Sequence, residues 1–350
     1  MKVLLTGLSG YIGARLLPKL EEAGHEVVAL LRDKKRVVLP EHSSVSIVEG
    51  DLLQPETLEA IPEGVECAYY LVHSMQRDEF EELEQQQIAS FLEIAKKRSF
   101  GRIIYLTGLI CSDNLSPHLR SRLRVEEAIK ASGIPYTIFR AGIVIGSGSA
   151  SFEIIRDLAE KLPIMIAPKW VKSKCQPISV HDVIAYLEAA AEKPECRSRV
   201  FDIGGPDVLT YKEMLLGYAK IRGLKRSLIT VPVLTPRLSS YWLLLVTSTN
   251  FMLAKALVES LKNDAICSER TIDSVILHDC LDYEESLRRA FSRIEQNAVI
   301  SSWTDAFGGS TLSPHISDYI TVPEHGCFSY EVAVSDVDDR DKALRRLWSI

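Results

Sequence analysis

Residues 6–13 read TGLSGYIG, directly after an apolar strand-like run and at the start of a helical pattern. Gly7 allows a tight turn, Gly10 allows the backbone to approach a diphosphate, and Gly13 allows the helix to pack closely on the strand. The N-terminus of the helix offers N–H groups to the phosphates. A lone glycine motif is weak evidence, but here it has a strand before it and a helix after it. The predicted dinucleotide-binding residues of this stretch are Gly7, Ser9, Gly10, Tyr11, Ile12 and Gly13.

The first half of the chain alternates strand-like and helix-like segments. Its strands are unbroken Val/Ile/Leu runs, typical of a parallel sheet covered by helices on both faces. The predicted strands are Lys2–Thr6, His25–Leu31, Val45–Glu49, Cys67–Val72, Arg102–Leu106 and Tyr136–Arg140. The predicted helices between them are Tyr11–Ala23, Glu79–Arg98 and Arg120–Ser132. The pattern predicts an α/β fold with a doubly wound parallel sheet, the Rossmann fold.

The alternation of strands and helices becomes less regular after residue 142. Helices are predicted at Phe152–Lys161 and Val180–Lys193, and strands near Ile178 and at Val200–Ile203. This region follows strands whose C-terminal ends face the ligand crevice in such folds. It is therefore predicted to form a smaller substrate-side lobe, mostly residues 142–290, of a single NAD(P)-binding domain that spans 1–295.

The end of the chain is predicted to be organised differently. Residues 296–318 are rich in Ser, Gly and Pro and are predicted to be a linker. Residues 319–350 begin a strand–helix unit, which is interpreted as a partial α+β segment at the start of a truncated second domain.

Composition restricts the class of protein. The chain has 350 residues, 46% hydrophobic and 25% charged, enough apolar material for a core. A net charge of -6 argues against a nucleic-acid partner. The seven cysteines form no CxxC pair, and an odd number does not fit a disulfide framework. With no export signal at the N-terminus, these features predict reduced thiols and a cytoplasmic protein.

One segment, residues 241–258, is apolar enough to suggest a membrane span. It reads YWLLLVTSTNFMLAKALV, and its polar residues interrupt the roughly 20 apolar positions that a span requires. A buried helix or the side of an apolar pocket is the preferred interpretation, and peripheral membrane contact is left open. Oligomeric state is not predicted.

The end of the second predicted strand indicates which dinucleotide is preferred. NAD-specific sites usually place a carboxylate there, which binds the ribose hydroxyls. This chain has Leu31 and Arg32, followed by basic residues at 34–36, and a guanidinium suits the 2′-phosphate of NADP. The alternative is a solvated basic turn, and Asp33 weakens the indication. NADP(H) is predicted as the preferred cofactor, with NAD(H) possible.

The third strand is followed by Asp51 and Leu52. A carboxylate at this edge can accept a hydrogen bond from the adenine amino group, and an apolar neighbour can pack on the ring. The alternative is that Asp51 only caps a turn.

The chain resembles the atypical short-chain dehydrogenase/reductases, in the branch that includes NmrA-like and triphenylmethane-reductase-like proteins. It is most similar to a bacterial subgroup in which this domain is fused to a C-terminal domain of unknown function. The resemblance covers roughly residues 1–290. The segments that carry it are Thr6–Gly13, Gly50–Leu52, Ala68–Met75, Tyr105–Leu109, Phe139–Gly142 and Val200–Tyr211.

The resemblance implies roles for residues at matching positions. Leu71, Val72 and His73 would line the adenosine and ribose side of the cofactor. Thr107 stands where many relatives have a catalytic or substrate-orienting Ser or Thr. Ala141 would lie near the nicotinamide.

The catalytic pair of the family, a Tyr and a Lys four residues apart, is not present. Aligned through Glu126, His118 takes the Tyr position and Arg122 the Lys position. His118 could shuttle a proton, because the ordinary pKa of histidine is about 6.5, and Arg122 could hold a ribose hydroxyl but cannot act as a base. The alternative is an exposed histidine and an arginine on the helix surface.

No metal site is predicted. His73, His181 and His278 are far apart in sequence and lack the spacing of metal ligands. The preferred function is an NADPH-dependent oxidoreductase that reduces an apolar small molecule. A catalytically weak NADP-binding sensor or scaffold is the alternative, and a nucleotide-sugar epimerase or dehydratase is a weaker one.

Overall fold

The computed structural model describes residues 1–37, 39, 43–73, 80–111, 115–231 and 263–295. The chain divides into two units, residues 1–307 and 308–350, and every described residue lies in the first. The predicted linker, the predicted second domain and the apolar segment 241–258 therefore fall outside the described residues.

Seven strands form one parallel sheet. In most of these strands the residues on both faces are buried, as expected for a sheet with helices on both sides. The strands are β1 (Lys2–Thr6), β2 (Glu26–Leu31), β3 (Ser46–Glu49), β4 (Cys67–Tyr70), β5 (Ile103–Gly108), β6 (Tyr136–Ala141) and, later in the chain, β11 (Arg199–Ile203).

The order of these strands across the sheet is β3–β2–β1–β4–β5–β6–β11. All six neighbouring pairs are parallel. The order reverses between β1 and β4, and in doubly wound folds the ligand crevice lies at that reversal, beyond the carboxyl ends of the strands. The predicted Rossmann fold is confirmed, and its crevice lies where the glycine-rich stretch begins.

Three small two-stranded sheets and several helices complete the described part. The remaining strands are β7 (Val144–Ile145), β8 (Ile164–Pro168), β9 (Lys174–Cys175), β10 (Ile178–Ser179), β12 (Leu209–Thr210) and β13 (Ser227–Val231). The helices are α1 (Gly13–Glu22), α2 (Phe80–Lys97), α3 (Pro117–Ala131), α4 (Ala150–Lys161), α5 (Val180–Glu192), α6 (Tyr211–Ile221) and α7 (Tyr283–Glu295). The strand pairs are β7 with β10, β8 with β13, and β9 with β12.

Helix α3 starts three residues earlier than the sequence predicts. The Ser116 side chain accepts a hydrogen bond from the Leu119 N–H at 3.3 Å, and Pro117 occupies the first turn. A serine cap followed by proline is a strong helix start, because proline lacks the N–H that a first turn leaves unpaired. His118 therefore lies inside the first turn of α3 rather than before it.

Each face of the sheet has its own core. On one face, Leu5 and Tyr69 pack with α1 and α5. On the other, their neighbours Leu4 and Tyr70 pack with α2 and α3. Alternation along each strand thus produces two covered faces from one apolar run.

A third core lies outside the sheet. Phe152 of α4, Tyr218 of α6 and Leu287 of α7 are fully buried in it. The range 142–290 was predicted to form one lobe, and the structure divides it. Helices α4, α6 and α7 build the third core, whereas β11 is a strand of the main sheet and α5 packs against that sheet.

Among the described residues, none of the helices has the length and apolar character needed to cross a membrane. The six cysteines that the structure describes form no disulfide with one another.

Candidate functional site

A cavity of about 270 Å³, here called the glycine-loop cavity, opens at the carboxyl ends of β1, β2 and β4. The residues that line it are Thr6, Gly7, Ser9, Gly10, Tyr11, Ile12, Gly13, Leu30, Leu31, Arg32, Asp33, Gly50, Asp51, Leu52, Leu71, Val72, His73, Gln87, Leu106 and Ala150. Every predicted cofactor-binding residue except Ala141 is among them. The fold therefore brings together four separate segments of the chain that the sequence assigned to one ligand.

The backbone of the glycine loop leaves no room for larger residues. Gly7 has a φ of 75°, a left-handed conformation that favours glycine, and a Cβ there would stand 2.5 Å from the carbonyl oxygen of Leu71. A Cβ on Gly13 would collide with the backbone of Gly7. The predicted roles of these two glycines, the tight turn and the close packing of helix on strand, agree with this geometry.

Thr6 fixes the loop to the neighbouring strand. Its buried hydroxyl donates to the carbonyl of Tyr69 at 2.9 Å and accepts from the N–H of Leu71 at 3.1 Å. The hydroxyl thus joins the ends of β1 and β4 across the point where the strand order reverses. Thr6 was not among the predicted site residues, although it begins the motif.

Arg32 is exposed and lines the cavity at the end of β2. It has no hydrogen-bond or ion-pair partner among the described residues. The neighbouring Asp33 accepts a hydrogen bond from the Lys35 N–H at 2.9 Å and so caps the turn at 34–36. One carboxylate oxygen of Asp33 is thereby already used by the protein, and the Arg32 guanidinium remains available for an anion.

Asp51 caps a turn at the edge of the cavity, and its contact with an adenine stays a prediction. Its Oδ1 accepts from the Leu53 N–H at 3.0 Å, which is a turn cap, and the residue also lines the cavity. Leu52 is buried beside it.

Three lining residues have no clear signal in the sequence. Gln87 is buried on α2, Leu106 lies near the end of β5, and Ala150 begins α4. Which residues of a helix face the crevice depends on how the helix is rotated on the sheet, and the periodicity of α2 does not reveal that rotation. For α4, the cap at Ser149, which accepts from the Phe152 N–H at 3.1 Å, is the signal that could have placed Ala150.

The rotation of α3 is determined by a buried ion pair. Glu126, fully buried, accepts two hydrogen bonds from Arg140 of β6, at 3.0 Å from Nε and 2.5 Å from the terminal nitrogen. A bidentate pair of this kind has a defined orientation. Residues four apart share one helix face, so the pair also directs Arg122 and His118 towards the sheet side of α3.

Arg122 contacts protein groups rather than an open site. Its guanidinium lies 2.7 Å from Nε2 of His73, and its Nε lies 4.0 Å from Glu84, which is buried on α2. Arginine has only donors, so His73 accepts through Nε2 and is the neutral tautomer with the proton on Nδ1. Arg122 thus contacts His73, a residue that lines the cavity, and its predicted contact with a ribose stays a prediction.

The pKa of His73 is held well below its ordinary value. Loss of hydration around the imidazole is the first cause, and the Arg122 cation is the second. The His73 residue as a whole is exposed, but its Nε2 is covered by the guanidinium. His73 therefore meets the cavity as an uncharged hydrogen-bonding group.

Thr107 and His118 each carry a buried polar atom without a hydrogen-bond partner in the described part of the chain. These atoms are Oγ1 of Thr107 and Nδ1 of His118. Buried polar atoms are rarely left unpaired, and an exception calls for an explanation such as a missing ligand. The segments that carry Thr107 and His118 lie side by side. A Cβ on Gly108, the residue after Thr107, would stand 2.7 Å from the side chain of Leu119, the residue after His118.

The ionisation of His118 differs from the sequence-based expectation. Burial, and after it the Arg122 cation, lowers the pKa of His118 to about 3. Although the residue is partly exposed, Nδ1 itself is buried. At neutral pH His118 is therefore an uncharged imidazole, not the half-protonated shuttle that an ordinary pKa of about 6.5 would allow.

Ala141 is buried at the end of β6, opposite Gly108 of β5, and is not among the lining residues of the glycine-loop cavity. A separate group of polar residues also assembles away from this cavity. His181 and His278, 97 positions apart in the sequence, both lie against Asp182. This group could not be predicted from the sequence, because only the fold brings the two histidines together.

Comparison with known proteins agrees with this geometry. Residues 7–163 match a family described as NAD(P)H-binding. Ceramide reductase of Caulobacter vibrioides is 26% identical over 234 residues, which cover 66% of this chain and 73% of that protein. Photosystem II assembly factor Ycf39 of Trieres chinensis is 21% identical over 248 residues, which cover 69% and 75%. The structure of Citrobacter sp. triphenylmethane reductase complexed with NADP(H) has a TM-score of 0.67 at 16% identity, over 83% of this chain and 100% of that one.

Proposed function

We propose that the chain is an NADPH-dependent reductase of an apolar small molecule, of the NmrA-like branch of the atypical short-chain dehydrogenase/reductases; the match of residues 7–163 to a family described as NAD(P)H-binding and the shared fold support this proposal. The observation that carries the cofactor preference is Arg32, a guanidinium that lines the glycine-loop cavity without a partner among the described residues.

The residues present fit a dinucleotide. A turn at Gly7 that excludes any Cβ leaves backbone close to where a diphosphate would lie. Arg32 would bind the 2′-phosphate of the adenosine ribose, and Asp51 and Leu52 would hold the adenine. Leu71, Val72 and His73 would cover the other side of the nucleoside.

When bound, the reduced nicotinamide supplies the hydride. The protein has to orient the acceptor and hydrogen-bond its oxygen as negative charge develops there. Thr107 Oγ1 and Nδ1 of the neutral His118 imidazole are two buried polar atoms of this region without a hydrogen-bond partner among the described residues, and we assign this role to them. Because Arg122 is engaged with His73, its role is to position that histidine rather than to touch substrate.

The names of the relatives support an apolar substrate. Ceramide is a lipid and a triphenylmethane dye is an aromatic cation, so similar chains act on large, poorly hydrated molecules. Ala150, the first residue of α4, lines the glycine-loop cavity, and α4 packs with α6 and α7 in the third core.

The cofactor preference is tested by titrating NADPH and NADH into wild type and Arg32→Ala. A charge-assisted hydrogen bond contributes about 1.5–3 kcal/mol, so the variant should lose NADPH affinity roughly tenfold to a hundredfold, with little change for NADH. Lys34→Ala is the matched control, since this exposed basic residue belongs to the same turn but does not line the cavity. Equal affinities of the wild type for the two cofactors would contradict the preference.

Activity is tested by following NADPH oxidation with ketones, quinones and cationic dyes. Turnover of any of these, with NADPH preferred over NADH, supports the reductase.

A cofactor-binding sensor or scaffold is the second candidate, and one observation favours it. His118 is uncharged at neutral pH and Arg122 is occupied by His73, so the positions of the usual Tyr/Lys pair hold neither a ready acid nor a free cation. A relative named as an assembly factor is consistent with such a role. Tight NADPH binding without turnover of any acceptor would favour this candidate over the reductase.

A further inference from the structure

Three side chains meet at the start of α5, away from the glycine-loop cavity. Nδ1 of His181 lies 3.3 Å from Oδ1 of Asp182, and Nε2 of His278 lies 2.9 Å from the same oxygen. These three atoms all lie within 4.8 Å of one another. Two imidazole nitrogens from distant parts of the chain thus converge on one carboxylate oxygen.

Asp182 is fully buried, and its environment explains only part of this arrangement. Its Oδ2 accepts a hydrogen bond from the Leu281 N–H at 3.0 Å, and His278 is sufficient to pair with Oδ1. His181 is not needed to satisfy the carboxylate. It nevertheless points its Nδ1 at the same oxygen, with its ring stacked at 6.1 Å from that of His278.

We propose that His181, Asp182 and His278 bind one divalent transition-metal ion of the zinc class. Two imidazole nitrogens and one carboxylate oxygen are a ligand set suited to such ions, whereas magnesium and calcium prefer sites made of oxygen atoms. Zinc bonds of about 2.0–2.2 Å place the ligand atoms of a tetrahedral site roughly 3.3–3.5 Å apart. The two shorter separations already approach this spacing.

The site also has the surroundings that a metal site requires. Leu281 N–H orients the buried carboxylate of Asp182, and the ring of Tyr186 meets the half-buried His278 edge-on at 5.3 Å, so both ligands are held in place. His181 has a side chain 57% exposed, which leaves it free to adjust and gives the ion a path of entry. Three protein ligands leave one coordination position open.

Bound metal would tie the first turn of α5 to the segment 278–281, which leads into α7. Helix α5 packs on the main sheet and α7 builds the third core. The ion would therefore stabilise the junction between the two. None of the three ligands lines the glycine-loop cavity, so the site is independent of hydride transfer and of the proposed function.

The experiment uses the full chain without a polyhistidine tag, freed of metal with a chelator. Zn²⁺ is titrated by calorimetry, and Co²⁺ is added in parallel because its visible absorption reports a tetrahedral site. We expect one equivalent bound, an intense Co²⁺ spectrum, and a thermal midpoint that rises with Zn²⁺.

His181→Gln should lower Zn²⁺ affinity at least about tenfold, since even residues that only orient a ligand change affinity by 10–100-fold, and His278→Gln should do the same. His181→Gln is the cleaner variant, because the exposed side chain is not needed for folding. Cys111→Ser removes an exposed thiol that is another candidate ligand, and it should change nothing.

No zinc binding, binding unaffected by both histidine variants, or binding lost with Cys111→Ser would each overturn the proposal. NADPH affinity should be the same in His181→Gln as in wild type. A failure of cofactor binding in the wild type would thus count against the proposed function and leave the metal site unaffected.

Discussion

The glycine-loop cavity and the cluster formed by Thr107, His118 and Arg122 lie on the same edge of one sheet but are built differently. The cavity is shaped mainly by backbone. Its main features are a left-handed turn at Gly7, the strand ends, and the Leu71 carbonyl, which leaves no room for a Cβ on Gly7. The cluster depends on side chains, whose rotation is determined by the pair between Glu126 and Arg140.

The difference shows which parts of a site a motif can specify. A backbone cradle requires glycine at particular positions, so its sequence is restricted and easily recognised. Side chains that face a substrate can change identity while the scaffold that directs them is kept. In this chain Glu126 pairs with Arg140 of the sheet, on the helix face that it shares with Arg122 and His118.

The largest effect that we expect is on the side-chain cluster. Thr107→Val removes the buried hydroxyl that has no partner in the described structure, at nearly constant volume. Loss of one donor to a developing negative charge lowers kcat by about 10²–10³-fold, and NADPH affinity should be retained. The measurement is steady-state turnover with the best acceptor found.

Thr107→Ser is the matched control, because it restores the hydroxyl and should recover most of the activity. If the valine variant turned over at the wild-type rate, Thr107 would have no part in orienting the substrate.

The second expected effect is on the backbone cradle. Gly7→Ala places a Cβ 2.5 Å from the Leu71 carbonyl oxygen at a φ of 75°. The loop has to move, and NADPH affinity should fall by about a hundredfold, equivalent to about 2.7 kcal/mol, as measured by fluorescence titration.

Gly24→Ala tests whether backbone strain alone, without the contact with Leu71, lowers NADPH affinity. Gly24 has nearly the same φ, 76°, but a Cβ there meets nothing within 4 Å. This variant should lose about 1–2 kcal/mol of stability and bind NADPH normally. Equal losses of NADPH affinity in the two variants would show that the contact with Leu71 is unimportant.

The smallest expected effect is on the pH dependence of stability. Burial, with the Arg122 cation, lowers the pKa of His118 to about 3 in the folded chain, whereas the unfolded value is about 6.5. Between these values the unfolded state binds more protons, so stability falls as the pH falls from about 6.5 towards 3. His118→Gln should lose less stability between pH 7 and pH 5, with a difference on the order of 1 kcal/mol, by urea denaturation. Parallel curves for the two proteins would contradict the lowered pKa.

Much of the sheet and of the cradle could be predicted from the sequence. Apolar runs give the strands within a residue or two, and TGLSGYIG predicts where the glycine-loop cavity lies because its glycines are required by geometry. The start of α3 was missed because the Ser116–Pro117 cap was not used. Gln87 and the contact between Arg122 and His73 were missed because they depend on the rotation of two helices on the sheet.

The third core has a consequence for redesigning specificity. Its buried residues come from three stretches of chain, 145–175, 211–218 and 283–290, and the segment between the first two contributes α5 and β11 to the main sheet. The segments of the third core therefore alternate along the chain with segments of the main sheet, rather than forming one added stretch. A chimera that exchanges one contiguous segment with a homologue would combine mismatched halves of this core, so that transplanting a binding preference would require at least three coordinated grafts.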